Sequence, residues 1–194
     1  FRATGYFQLR PYLEGIPEIR ILAGINVDYF TQKYYYSGQI YLKTPEEIKN
    51  SFLESLKQDI ENANYDKNIE KGIFEFIKDI TEKRIQIRSH PEKTIHAKIY
   101  IFKPKDFNEH KSAWTVTGSS NFSKSGFGIT KNQVYEFNVE IRDFDDIEFA
   151  SEEFEKLWKE CEGYDILPLE VQKLKHESYL NKTFTPYELY IKML

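Results

Sequence analysis

Four runs with a two-residue period follow one another between positions 84 and 143, and no helical pattern separates them. They are "RIQIRSH" (84–90), "IHAKIYIF" (95–102), "SAWTVTG" (112–118) and "VYEFNVEIRD" (134–143). Such alternation marks strands with one apolar face. Strands that follow one another through short connections pair antiparallel, because a parallel return needs a crossover of about a dozen residues or more. This stretch is therefore expected to contain antiparallel pairing.

Upstream the pattern changes. "FRATGYFQL" (1–9) and "IPEIRILAGINV" (16–27) are expected as two strands flanking a short helix or turn. Thr44, followed by Pro45, Glu46 and Glu47, starts a helix: a cap, a proline in the first turn, then acids at the positive end of the dipole. Ile48, Phe52, Leu53, Leu56 and Ile60 fall on one face of it. A second helix over 69–80 carries Ile73, Phe74, Phe76, Ile77 and Ile80. A long amphipathic helix after residue 143 is expected to bury Phe149, Phe154, Leu157 and Trp158. In the tail, Thr185 and Pro186 repeat the cap-plus-proline start. Strands mixed with helical pairs make the expected class α/β, a mixed β-sheet flanked by helices.

The 194 residues suit one domain, and 40% hydrophobic with 30% charged residues is a globular composition. There is no apolar run of about 18 residues, so no segment reads as a membrane span, and no leader pattern opens the sequence. Cys161 is the only cysteine, which excludes an internal disulfide and a multi-cysteine zinc site and points to the cytoplasm. The first residue is Phe1, not Met, and the last helix has barely begun when the sequence stops. A chain continuing beyond both ends is expected. The net charge of −4 leaves room for a local basic groove. Arg84, Arg88, Lys93, Lys103, Lys105, Lys111, Lys124 and Lys131 could line one, or form a solvated charged face. Tyr34, Tyr35 and Tyr36 could stack bases or cover a core edge.

Chemistry enters with the polar half of "IHAKIYIF". Side chains at i and i+2 of a strand point the same way, so His96 and Lys98 stand side by side. Two potential cations at that distance repel, unless an anion sits between them. Downstream, "TVTGSSN" ends a strand on Gly118-Ser119-Ser120-Asn121, a turn rich in backbone N–H groups and hydroxyls that suits phosphate oxygens. Singly, a Gly-Ser-Ser-Asn is an ordinary turn and a His-x-Lys a chance pair. In this order, each at a strand end, they point to one phosphate.

These residues resemble the signature of the phospholipase D superfamily, H-x-K-x4-D-x6-G-S-x-N with a later acidic residue. "HAK" (96–98) matches the first part, "GSSN" (118–121) the second, and "NVE" (138–140) supplies the acid, Glu140. Two departures stand out. Lys103 occupies the position of the family's aspartate, and the stretch from Lys98 to Gly118 is longer than the pattern by eight residues, with "KPKDFNEHK" as an extended hairpin tip. Asp106 lies in that tip, out of register.

The resemblance implies phosphodiester cleavage without a metal or other cofactor, through a phosphohistidine. His96 would be the nucleophile, and Lys98 would neutralise a phosphate oxygen. Ser119, Ser120 and Asn121 would bind the phosphate, and Glu140 would fix the tautomer of His96. A second histidine must protonate the leaving oxygen, and the chain has one HxK. His90 is expected to end its strand in solvent, and His110 to lie on the hairpin tip; His176 likewise lacks the lysine. Single-motif members of the superfamily complete the site by homodimerising, which is the expectation here. The chain ends also resemble a nuclease-like module that precedes bacterial superfamily 2 helicases of the Snf type. That likeness implies a domain over 1–180, with 181–194 leading into a helicase domain, and a nucleic acid, DNA in particular, as partner. Two other functions fit the residues: a non-catalytic module that reads phosphate or dimerises a helicase, and a phospholipid phosphodiesterase. No basic amphipathic helix supplies a membrane-facing surface.

Overall fold

The structure is a computed structural model and describes residues 3–23, 44–61, 67–90, 95–129, 135–166, 170–173, 185, 187, 190 and 191. The chain opens with a helix, α1 (Ala3–Leu9), followed by a 3-10 turn at Arg10–Leu13. This corrects the expected strand over 1–9. Ala3, Gly5, Tyr6, Phe7 and Leu9 of α1 are buried, and Thr4 and Gln8, one turn apart, mark its less covered side; in a 7-residue helix that period spans a single turn, too short to stand out in the sequence.

β1 (Ile19–Ala23) leads to two helices, α2 (Pro45–Glu61) and α3 (Lys67–Thr81), and then to β2 (Ile85–Ser89). β1 and β2 pair in parallel, Ile19 with Ile85 through Ala23 with Ser89. The expected start of α2 is present as a reciprocal capping box. Glu47 N–H donates to Thr44 Oγ1 (3.3 Å), and Thr44 N–H donates to Glu47 Oε2 (2.8 Å). Leu56 and Ile60 of α2 are buried in the core, with Leu53 packed against it; the side chains of Ile48 and Phe52 lie outside the described part. On α3, Ile73, Phe76, Ile77 and Ile80 form the buried stripe at i, i+3, i+4 and i+7. Phe74, expected among them, is about a hundred degrees off that stripe and exposed.

α1 packs on α3 at very short range. A Cβ on Gly72 would stand 2.3 Å from the Phe7 carbonyl oxygen, and one on Gly5 would stand 1.9 Å from that of Phe122. Between them Tyr6, Phe7 and Phe76 pack ring to ring, with centroids 5.1 and 5.5 Å apart. Beside this core Asp79 is 2% exposed. It accepts from Tyr6 OH (2.6 Å), Arg10 Nε (2.5 Å) and Arg84 Nη1 (2.8 Å). A buried carboxylate needs this many donors to offset its lost hydration.

The remaining strands form an antiparallel meander: β3 (Ile99–Phe102), β4 (Trp114–Gly118) and β5 (Asn138–Ile141). The mixed character of the α/β fold thus comes from a parallel pair and an antiparallel triple. β3 is shorter than the expected 95–102: residues 95–98 approach it outside any ladder. The expected apolar face is not the covered one either, since Ile99 is 49% exposed while Tyr100 is half-buried.

Asp143 caps the long helix α4 (Phe144–Glu160), its carboxylate accepting from the N–H groups of Asp145 (3.1 Å) and Asp146 (3.4 Å). Ile147, Ser151 and Trp158 are its buried residues, with Phe154 and Leu157 half-buried; of the expected face, Phe149 alone is misplaced, at 66% exposed. Ser151 concealed the true stripe. Its hydroxyl donates to the Ile147 carbonyl within the helix (2.8 Å), so a polar residue sits at a buried position without penalty. Among the described residues, no helix is long and apolar enough to cross a membrane. Tyr34, Tyr35, Tyr36, Lys93, Lys131, His176 and the boundary expected near residue 180 lie outside them.

Candidate active site

Residues 95–98 bring His96 and Lys98 to the end of β3. His96 is exposed and Lys98 half-buried. Lys98 Nζ stands 3.1 Å from His96 Nε2, 3.3 Å from Nδ1 and 3.1 Å from the His96 carbonyl oxygen. An ammonium can only donate, and its near-equal distances to both ring nitrogens place it over the imidazole face rather than in line with either lone pair. The repulsion expected of two cations is absent when the imidazole is neutral, which is also the form that can act as a nucleophile.

The register pairs Ile99 with Thr117, which brings Lys98 level with Gly118; Gly118 is paired in turn with Asn138. Gly118 has φ 158°, and a Cβ there would stand 2.2 Å from the Phe137 carbonyl oxygen and 2.7 Å from Asn138 Cα. Only glycine lets β4 and β5 approach so closely. The turn that follows is held from three sides. Ser120 is 3% exposed: its N–H donates to Asn138 Oδ1 (3.3 Å), and its Oγ accepts from Asn138 Nδ2 (2.7 Å). Its carbonyl accepts from Tyr100 OH (2.9 Å). Ser119 N–H donates to the Phe137 carbonyl (3.0 Å), and Ser119 Oγ accepts from Phe137 N–H (3.0 Å). The Ser119 hydroxyl then donates to the Glu136 carboxylate.

Tyr100 packs near the rings of Phe122 and Phe127, at centroid distances of 6.0 and 5.3 Å. Burial, and secondarily the negative charge of Glu136, pushes its phenol up to about 12. The phenol therefore remains a donor to the turn throughout the ordinary pH range. Asn121 is exposed, and its amide has no hydrogen bond among the described residues. A Cβ on Gly126 would stand 2.1 Å from the Asn121 carbonyl oxygen, so the chain folds back directly beneath it.

Of the residues singled out in the sequence, the structure places His96 against Lys98, and Ser119 and Ser120 in one turn with Asn121. Glu140 lies two positions along β5 from Asn138 and forms an ion pair with Arg142. Among the described residues it makes no bond to His96. Sequence reasoning missed Glu136, Asn138 and Tyr100. The alternation in "YEFNVE" puts 136, 138 and 140 on one face, but which of them meets the turn depends on the β4–β5 register.

The expected basic groove is largely dismantled. Arg84 is bound to Asp79, to Tyr6 OH (3.2 Å) and to the carbonyls of Ile16 (2.9 Å) and Leu13. Arg88 donates to Asp165 (2.7 Å) and to the Trp158 carbonyl (2.7 Å), and stacks 4.5 Å above the Trp158 ring. Both are structural. Lys111 pairs with Asp106 at the hairpin tip. Lys103 acts electrostatically on Glu155 of α4, which grips Arg20 of β1 and is held below the usual carboxylate range chiefly by that guanidinium. A cation at the position of the family's aspartate therefore has a counter-charge. Lys105 and Lys124 have no ion pair among the described residues. His90 is 5% exposed with Nε2 3.1 Å from Glu160 Oε2, so it does not end its strand in solvent. His110 is exposed beside Glu109. Among the described residues, no group of His, Cys, Asp and Glu side chains could hold a metal ion.

No curated protein and no solved structure shows significant similarity to the chain. A family model described as "Cardiolipin synthase, PLD-like domain" matches residues 23–158, a span that contains the HxK pair, the Gly-Ser-Ser-Asn turn and both Glu136 and Glu140. That match covers most of the 194 residues, and the chain belongs to the phospholipase D-like domain family.

Proposed function

We propose that this domain is a metal-independent phosphodiesterase that cleaves nucleic acid through a phosphohistidine on His96. The observation that carries the reading is the Lys98 ammonium, 3.1 Å from His96 Nε2, level with the Gly118 turn. When a phosphodiester enters, Lys98 donates to a non-bridging oxygen while a ring lone pair of His96 attacks phosphorus. The P–N bond forms as the P–O bond to the leaving group breaks, and a histidine of a second copy protonates that oxygen. Water then attacks phosphorus and restores His96. The exposed Asn121 amide can donate to the phosphate as charge builds.

A homodimer is part of the proposal, because the two-histidine mechanism needs a second imidazole. Ile99, Thr117 and Val139 form one row across the meander, with Ile99 and Val139 49% and 45% exposed, and Phe137 beside them is 62% exposed. Strand alternation puts this row on the face opposite Asn138 and Glu140, so the second copy must approach where His96 and Lys98 stand rather than over this row. Nucleic acid, in the setting of a DNA helicase, is the proposed substrate. Lys105 and the half-buried Lys124, in the loop after the turn, can meet backbone phosphates beyond the scissile one.

A second reading, a phosphate-binding module without turnover, is favoured by the interior use of Ser120 and by Lys103 in the aspartate position. Cleavage of single- and double-stranded DNA, of RNA and of phospholipid vesicles in excess EDTA decides among them. The proposal expects nucleic-acid cleavage that persists on chelation, since Lys98 supplies the charge that a metal would bring. Loss of cleavage on chelation with recovery in magnesium would sink the phosphohistidine mechanism. Hydrolysis confined to the vesicles would reassign the substrate.

A further inference from the structure

We propose that Glu136 is a specificity-determining residue: its carboxylate, bound to the Ser119 hydroxyl beside the phosphate turn, makes the site favour a singly charged phosphodiester over a doubly charged phosphomonoester. The inference rests on the phosphate-site reading above. Phe137 N–H donates to Ser119 Oγ, which turns the hydroxyl's own proton toward the Glu136 carboxylate. The ladder ends on Gly118–Asn138, and the exchange between Ser119 and Phe137 carries the two segments on side by side, so Glu136 meets the turn from just before β5.

Two acids flank Asn138, Glu140 within β5 and Glu136 just before it. Glu140 pairs with Arg142, whereas Glu136 has no basic partner among the described residues. Its charge is felt locally, since it helps to hold the Tyr100 phenol protonated. A phosphodiester carries one negative charge at neutral pH. A monoester carries nearly two, its second pKa being about 6. Lys98 attracts both, but an unpaired carboxylate repels the dianion about twice as strongly. Cleaving a diester creates a monoester end, so the charge that tolerates the substrate also speeds departure of that product.

Glu136→Gln keeps the shape and the hydrogen bond to Ser119 and removes the charge; Glu136→Asp keeps the charge. The dissociation constants of a dinucleoside monophosphate and of a nucleoside 5′-monophosphate are measured by titration at pH 8 for wild type and both variants. In Glu136→Gln the monoester should gain about fivefold relative to the diester, the factor expected for one added unit-charge interaction near 4 Å in water. In Glu136→Asp the preference for the diester should persist. An unchanged ratio in Glu136→Gln, or weaker binding of both ligands, overturns the proposal. If neither ligand binds any of the proteins at millimolar concentration, the phosphate-site reading falls and this one with it. If the ratio shifts but no protein cleaves a diester, the discrimination stands and the phosphodiesterase reading falls.

Discussion

In the proposed mechanism, His96 and Lys98 have separable duties. His96→Ala should abolish cleavage while leaving nucleic-acid binding within a few-fold, because a nucleophile contributes mainly in the transition state. Lys98→Ala should weaken both cleavage and binding. It should also reduce the salt dependence of binding by about one phosphate contact per site, since its charge meets the phosphate before and during reaction. Single-turnover cleavage and binding isotherms over a range of salt separate the two. Asp79 belongs to the same scale but to stability. It is buried, with two guanidiniums and a phenol aimed at it, and burial together with that carboxylate pushes the Tyr6 phenol well above its usual value. Asp79→Ala should cost about 3–5 kcal/mol in denaturant unfolding, because it leaves Arg10 and Arg84 without their shared counter-charge. A loss below about 1 kcal/mol would show that water takes over the carboxylate's role.

At the scale of elements, the site depends on how β4 ends. Gly118 closes the strand where the Phe137 carbonyl and Asn138 approach it, and the Ser120–Asn138 exchange then fixes the turn. Gly118→Ala should separate β4 from β5. Amide protection of Phe137 and Ser119, which are paired to one another, should fall before global unfolding. Protection equal to wild type would show that the backbone can yield the required space. The β1–β2 pair is tied to α4 by different means. Arg20 and Arg88 lie over the Trp158 ring at 5.5 and 4.5 Å while Glu155 and Asp165 hold their guanidiniums. Packing and charge act on the same two side chains there.

For the whole molecule, the proposed two-histidine mechanism requires association, since the chain has a single HxK pair. Sedimentation velocity at micromolar concentration should show a dimer. A strict monomer that still cleaves would remove the need for a second imidazole from another copy.

Local chemistry made much of this chain readable. The Thr44–Glu47 box, the α3 stripe and the antiparallel strands depend on neighbours close in sequence, and all three are present as expected. The HxK pair is local too, its partners being two residues apart. What escaped depends on contacts between distant segments. α1 passed for a strand because its helical period, carried by Thr4 and Gln8, spans only one turn. Arg84 and Arg88 passed for a phosphate groove because their partners, Asp79, Asp165 and Trp158, are assembled around them only by folding. The choice of Glu136 over Glu140 as the acid beside the turn turns on register. In a strand of alternating faces both carboxylates point the same way, and only the partner strand decides which one meets Ser119.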